Sequence, residues 1–272
     1  MKALAIILTT LAAAAAAGAL LHLPVIGGLF SYTYRYDRGN GYTSGDACIN
    51  SSINALDIDW VTGKVTVEYH DEDTVLVRET SRSSLTPETR LHWAVEGGTL
   101  KVKYAASGAR ISSTLQKDLT VTLPGKSGAD SAVISATTGD VHIRGGSWRT
   151  LDIKDVTGSA YITADTAEVL NARCTTGDIN ANVINAGSME LHCTTGDVIL
   201  CADSFDSIKA RSTTGDIKAD LPESPGFAAQ LSATTGKVSC TIPHTEEGKT
   251  YKVGDGSKNV EMKVTTGNIT VS

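Results

Sequence analysis

The sequence predicts an all-β fold: a parallel β-solenoid of ~19-residue Thr-Thr-Gly-Asp coils, with an irregular β section and a transmembrane or signal helix ahead of it. Three observations carry that expectation. A tetrapeptide recurs at a fixed step, apolar and polar residues alternate on both sides of it, and the first thirty residues hold a single charged side chain, Lys2. Composition agrees. Among 272 residues, 26 are Gly against 6 Pro, and aromatics make up only 5%, which suits tight turns around a thin core of small side chains. A net charge of −6 disfavours nucleic-acid binding, because neutralising phosphates takes a basic surface.

Residues 1–30 read as a membrane anchor or a signal segment. Ala3 to Leu21 is apolar or small apart from Thr9 and Thr10, long enough as a helix to cover one hydrocarbon core. Ala12–Ala17 offers a small-residue cleavage site before Gly18, so secretion after signal cleavage stays open. The apolar run resumes from Leu23 to Phe30, and that length favours an uncleaved single-pass anchor with the body outside the cytoplasm. Residues 31–52, rich in Tyr, Gly, Ser and Asp, read as a spacer from the membrane.

Residues 53–272 form the expected β domain, with 53–124 as an irregular N-terminal section and 125–272 as regular coils. In the first part, Leu56, Ile58 and Trp60 lead into Val61-Thr62-Gly63, followed by Val65, Val67 and Tyr69. Thr74–Thr80 reads as a strand, and two strands flank Glu96-Gly97-Gly98 as a hairpin. In the second part, Thr-Thr-Gly-Asp stands at 137–140, 175–178, 194–197 and 213–216, with degenerate copies ending in Ser159, Lys237 and Asn268. Glycines 139, 158, 177, 196 and 215 are nineteen residues apart, and steps of twenty-one and thirty-one lead to Gly236 and Gly267.

Aligned on that glycine, the copies form columns. Five residues before it stand Ile134, Ile153, Ala172, Leu191, Ala210 and Leu231; two after it stand Val141, Ala160, Ile179, Val198, Ile217, Val238 and Ile269. Ser135, Lys154, Arg173, His192, Arg211, Ser232 and Lys263 alternate with the first set and must face water. Period two on each arm means two short strands per unit, each with one buried face. A single unit cannot bury that face, so the units stack, with like residues ~4.8 Å apart. Trp148, Ala167, Ala186 and Phe205 make a further inward column at the other turn.

These residues taken in order resemble a known family. The anchor ending in Gly27-Gly28-Leu29-Phe30, the coil Leu56–Tyr69, the hairpin Gly97-Gly98-Thr99-Leu100-Lys101-Val102, the segment Lys117–Pro124 and the Thr-Thr-Gly-Asp coils are similar to bacterial envelope β-strand-repeat proteins called "putative adhesin", a family of unknown function. The resemblance implies a solenoid, a membrane anchor and an extracytoplasmic setting. It brings no catalytic residues.

Candidate chemistry is sparse. Asp178, Asp197 and Asp216 would stand one above another and could hold calcium, but a side chain after a turn glycine more often satisfies turn amides. Read as a glycosidase pair, these acids lack an aromatic wall for a sugar. In each Thr-Thr pair, one Thr is expected to pack inward and the other to ladder outside. Cys174 and Cys193 share an inward column with Ala136, Ser212 and Ala233, and read as buried small thiols, with a disulfide the alternative. The sequence therefore implies no catalytic residue, no cofactor and no metal site. It points to a non-enzymatic surface module, adhesin-like, accessory to envelope stress response or surface assembly, held to the membrane by its N-terminal helix and facing a protein or surface-polymer partner. The alternative is a glycan-binding or glycan-processing β-helix, for which only Tyr161 and Trp93 offer aromatic surface. The terminal strand Asn268–Ser272 has no evident cap and reads as an open edge for pairing.

Overall fold

A computed structural model describes residues 33–125, 129–248 and 250–272. The expected anchor or signal helix, residues 1–30, lies outside the described residues. Among the described residues there is no helix, and so none long and apolar enough to cross a membrane.

Alternation along the chain becomes alternation of burial. Ile179–Thr195 runs as one strand of 17 residues, in which Ile179, Ala181, Val183, Ala186, Met189, Leu191 and Cys193 are buried. The same phase holds in Ala160–Thr176, which pairs with it in parallel: Ala160 opposite Ile179, Leu170 opposite Met189 and Thr176 opposite Thr195. Each partner is nineteen residues further on. One layer thus consists of an arm after the glycine, a bend, and a second arm returning to the next glycine. Each side chain such as Leu191, taken wholly out of water, contributes about 1.5–3 kcal/mol.

The turn shows why glycine recurs. The amide of Gly139 donates to Thr157 O, Gly158 to Thr176 O, Gly177 to Thr195 O and Gly196 to Thr214 O, each at 2.9 Å. These bonds bring every glycine onto the carbonyl of the glycine one layer away. A Cβ on Gly177 would collide with the carbonyl of Gly158, and one on Gly196 with that of Gly177. Their φ angles, +132° and +145°, are also open only to glycine. Neither Thr of a pair is buried, contrary to the expectation that one packs inward: the last inward residue before the turn stands three before the glycine, and both threonines follow it at the surface.

Layer order departs from chain order at both ends. Gly63 donates to Thr138 O, so the first coil lies beside the Gly139 layer, with residues 71–124 folded outside it. There, Lys117–Pro124 pairs in parallel with Val65–His70 and antiparallel with Val75–Ser81. The expected hairpin forms between His92–Glu96 and Thr99–Lys103. At the other end the final layer is inserted. Lys258–Thr266 lies between Ser207–Thr214 and Phe227–Thr235, and Ile269–Val271 between Ile217–Asp220 and Val238–Cys240. The stack therefore runs Gly215, Gly267, Gly236. The expected open edge at Asn268–Ser272 is corrected accordingly: Ile269 and Val271 are buried and paired on both sides. The outermost strand on that side is Val238–Cys240, while the antiparallel hairpin Thr245–Glu247 and Thr250–Val253 covers Phe227–Thr235.

Residues 33–52, expected as a spacer, belong to the folded body. Thr33–Arg35 pairs with Arg110–Ser112, and Ala47–Ile49 with Val75–Ser81. Tyr36 is buried 6.4 Å from the Tyr104 ring, which in turn stands edge-on to Trp60 at 4.9 Å.

Because the glycine seam is a backbone contact with nowhere to retreat, Gly196→Ala should destabilise the chain by more than about 3 kcal/mol in urea unfolding. Gly248→Ala, at φ +66° with open space around it, should cost only about 1 kcal/mol.

Candidate functional site

The residue after each glycine sits on the seam, and its side chain reaches the next layer. Asp140 Oδ1 accepts from Ser159 N at 3.0 Å, Ser159 Oγ from Asp178 N at 3.0 Å, and Asp178 Oδ1 from Asp197 N at 2.8 Å. Asp197 Oδ1 then accepts from Asp216 N, and Asp216 Oδ1 from Asn268 N, both at 2.8 Å. Asn268 Oδ1 takes Lys237 N at 3.0 Å. Each acceptor meets an amide that the turn would otherwise leave unpaired. Lysine, which has no acceptor, stands at the outer end as Lys237. The expected aspartate stack is therefore present, and Asp178, Asp197 and Asp216 each hold a backbone amide of the next layer. No group of three or more His, Cys, Asp or Glu among the described residues is placed to hold a metal ion.

Beneath the seam lies the inward column three residues before each glycine. Cys174 and Cys193 stand opposite one another there as free thiols, both buried. The adjacent Cys193 thiol, with burial, pushes the Cys174 thiol up. Cys193 Sγ donates to Gly177 O at 3.4 Å and Ser212 Oγ to Gly196 O at 2.9 Å. Asp155 occupies the same column and is buried; it was missed in the sequence although alignment on Gly158 places it there. Burial raises its carboxyl to about 7, helped by the nearby Asp140 carboxylate.

A second buried charge was also missed. Lys117 is fully enclosed, 2.9 Å from Glu79, bonded to the carbonyls of Thr89 and Tyr104, and over the rings of Trp60 and Tyr104 at 5.1 and 4.2 Å. Glu79 in turn accepts from Leu91 N at 2.9 Å. Desolvation lowers the Lys117 ammonium to about 8 against the pull of Glu79. The period-two phase of Leu119, Val121 and Leu123 points Lys117 inward and was the available signal. This cluster fastens the N-terminal section to the first coil.

The outward rows differ between the two arms. On the arm before the glycine, Lys154, Arg173, His192, Arg211 and Lys263 are exposed, with Arg173 3.1 Å from Glu190 and Arg211 2.8 Å from Glu261. On the other arm, His142 stacks on Tyr161 at 4.7 Å, followed by Asn180 and Ile199; Tyr161 and Ile199 are each 40% exposed. Trp93 is half-buried against the core and supplies no second open ring.

The layered turns define the class: an all-β repeat protein whose units meet through a glycine seam. The chain belongs to the Toastrack DUF4097 family, whose profile matches residues 53–220 and 177–272. Similar solved structures include a "putative adhesin" from Bacteroides fragilis NCTC 9343, 16% identical, with TM-score 0.49 over 84% of this chain and 96% of that one. A second "putative adhesin", from Parabacteroides merdae ATCC 43184, is 12% identical, with TM-score 0.43 over 88% and 99%. A "putative lipid binding protein" from Parabacteroides distasonis ATCC 8503 is 11% identical, with TM-score 0.40 over 86% and 98%. No curated protein matches the chain.

Removing one rung should cost a hydrogen bond and little else. Asp197→Ala should lower stability by about 1 kcal/mol in urea unfolding, while Asp197→Asn, which keeps an acceptor as Asn268 does, should leave it nearly unchanged. Lys117→Met should cost about 3 kcal/mol by stranding Glu79, and adding Glu79→Gln should recover part of that loss.

Proposed function

We propose that this chain is the extracytoplasmic body of a membrane-held surface protein, a parallel β-solenoid that works by binding and not by catalysis. The observation that carries the reading is the array of repeated polar side chains on the arm before the glycine. Lys154, Arg173, His192 and Arg211 recur at one side-chain position per layer, and Asp152, Asn171, Glu190 and Lys209 form the row beside them. Such a surface meets an extended or repetitive partner with many weak contacts at one spacing, so that avidity replaces a single deep pocket. Parallel pairing at a nineteen-residue offset supports the solenoid reading. The anchor rests on the apolar sequence Ala3–Phe30. The absence of catalysis rests on the carboxylates of the seam, each tied to a backbone amide.

A glycan is the second reading, and one feature favours it: the exposed Tyr161 ring stacked on His142, which offers a flat face to a sugar.

Full-length protein should sediment with membranes and resist salt extraction, and protease added to intact cells should digest its body; recovery in the cytosol would refute the setting. Co-sedimentation of the purified body with envelope material should weaken at least about tenfold on Arg173→Glu plus Arg211→Glu and weaken with added salt. If Tyr161→Ala abolishes that sedimentation and the charge reversals do not, the glycan reading replaces the first.

A further inference from the structure

We propose that Asp155 is a proton-operated latch between the Gly139 and Gly158 layers: as the neutral acid it donates to the Gly139 carbonyl, and as the carboxylate it loosens that contact. The argument starts from its column. Three other polar residues occupy the position three before the glycine; Cys193 and Ser212 donate to the carbonyl of the glycine sixteen residues earlier, Gly177 and Gly196, while Cys174 donates to Asp178 O at 3.8 Å. For Asp155 the equivalent carbonyl is that of Gly139. Asp155 Oδ2 and Gly139 O indeed crowd the same point, the place where Gly158 lacks a Cβ. Thiol and hydroxyl have a hydrogen to give there. A carboxylate has none and would set lone pair against lone pair, whereas a carboxylic acid restores the donor.

The remaining surroundings agree. Asp155 is buried, its Oδ1 accepts from Thr157 N at 3.1 Å, and its Oδ2 has no partner. A buried carboxylate with an empty oxygen is costly, and neutralisation is the usual escape. The ionisable groups facing it are the Asp140 carboxylate across the seam and the Cys174 thiol one layer on; Ala136 is its neighbour in the layer before. Asp140 disfavours a second negative charge. Its own Oδ1 is engaged with Ser159 N.

The direction with pH follows. The carboxyl is raised from 3.8 to about 7 in the folded chain, so between those values the native state holds a proton that the unfolded chain has lost. The stabilisation is complete below the ordinary aspartate range and disappears as pH rises through about 7. On the alkaline side the turn at Thr157-Gly158 should open more often, while the Gly196 and Gly215 turns, with thiol and hydroxyl in the same place, should not.

The test compares melting temperature between about pH 5 and about pH 8 in the whole chain and in Asp155→Asn and Asp155→Ala, the second matching Ala136 and Ala233 in the same column. The parent should lose several degrees across that window, and both variants should lose clearly less; Lys117 contributes equally to all three and cancels. A parent no steeper than its variants would overturn the proposal. Should neither variant fold, the carboxyl carbon of Asp155 followed by NMR decides: a midpoint near about 7 supports the latch, and a midpoint in the ordinary aspartate range overturns it.

Discussion

The structure depends on one close approach: the backbone of each turn glycine against the carbonyl of the glycine one layer away. No side chain fits between them, and the φ angles, +130° to +156° from Gly139 to Gly215, exclude other residues on their own account. With that seam closed, the spacing of the layers is set by the backbone, and every other column inherits it. Apolar columns can then be small, because Ala, Val and Leu need only meet their equivalents at strand separation. An 11-residue strand such as Ser147–Thr157 and the 17-residue strands after it keep one nineteen-residue register through the bend for the same reason.

A seam this tight leaves polar backbone groups to be satisfied between layers. The residue after the glycine does so with Asp, Ser or Asn, three side chains that share an acceptor at similar reach. Lysine marks where this fails. The Lys64 amide donates to Asp118 Oδ1 at 2.8 Å, but the Lys64 side chain offers no acceptor onward, and Lys237 closes the far end. The ends are managed by insertion. At one end an irregular section is clamped around Lys117 and Glu79; at the other the last layer slides between two earlier ones and a hairpin covers the flank. Edges are thereby shortened, which disfavours indiscriminate pairing with other chains.

Much of this was legible before any coordinates. The glycine spacing, the apolar columns and the water-facing row of Lys154, Arg173, His192 and Arg211 follow from period and alternation, and the hairpin at Gly97-Gly98 from its turn residues. Layer order was not legible, because every unit carries the same template and Asn268 is as acceptable beside Asp216 as Lys237 would have been. Only the steps of twenty-one and thirty-one hinted that chain order breaks there. Residues 33–52 were misread because polar composition hides the few anchors, Tyr36 and Ile49, that bind them to the body. Asp155 and Lys117 escaped for a common reason: charge argued for the surface, and position in the alternating pattern argued, correctly, for the interior. Which face meets a partner is not encoded in any period, since both outward rows repeat equally well.

Cross-linking across the seam tests this ordering most directly. In a background with serine at Cys48, Cys201 and Cys240, cysteines at Thr214 and Thr266 should form a disulfide, as should cysteines at Thr235 and Thr266, since each pair stands in register. Cysteines at Thr214 and Thr235, closer in sequence but separated by the inserted layer, should not. A strong 214–235 bond with no bond to 266 would show that the last unit stacks elsewhere and that the seam is not the continuous backbone contact on which the fold rests.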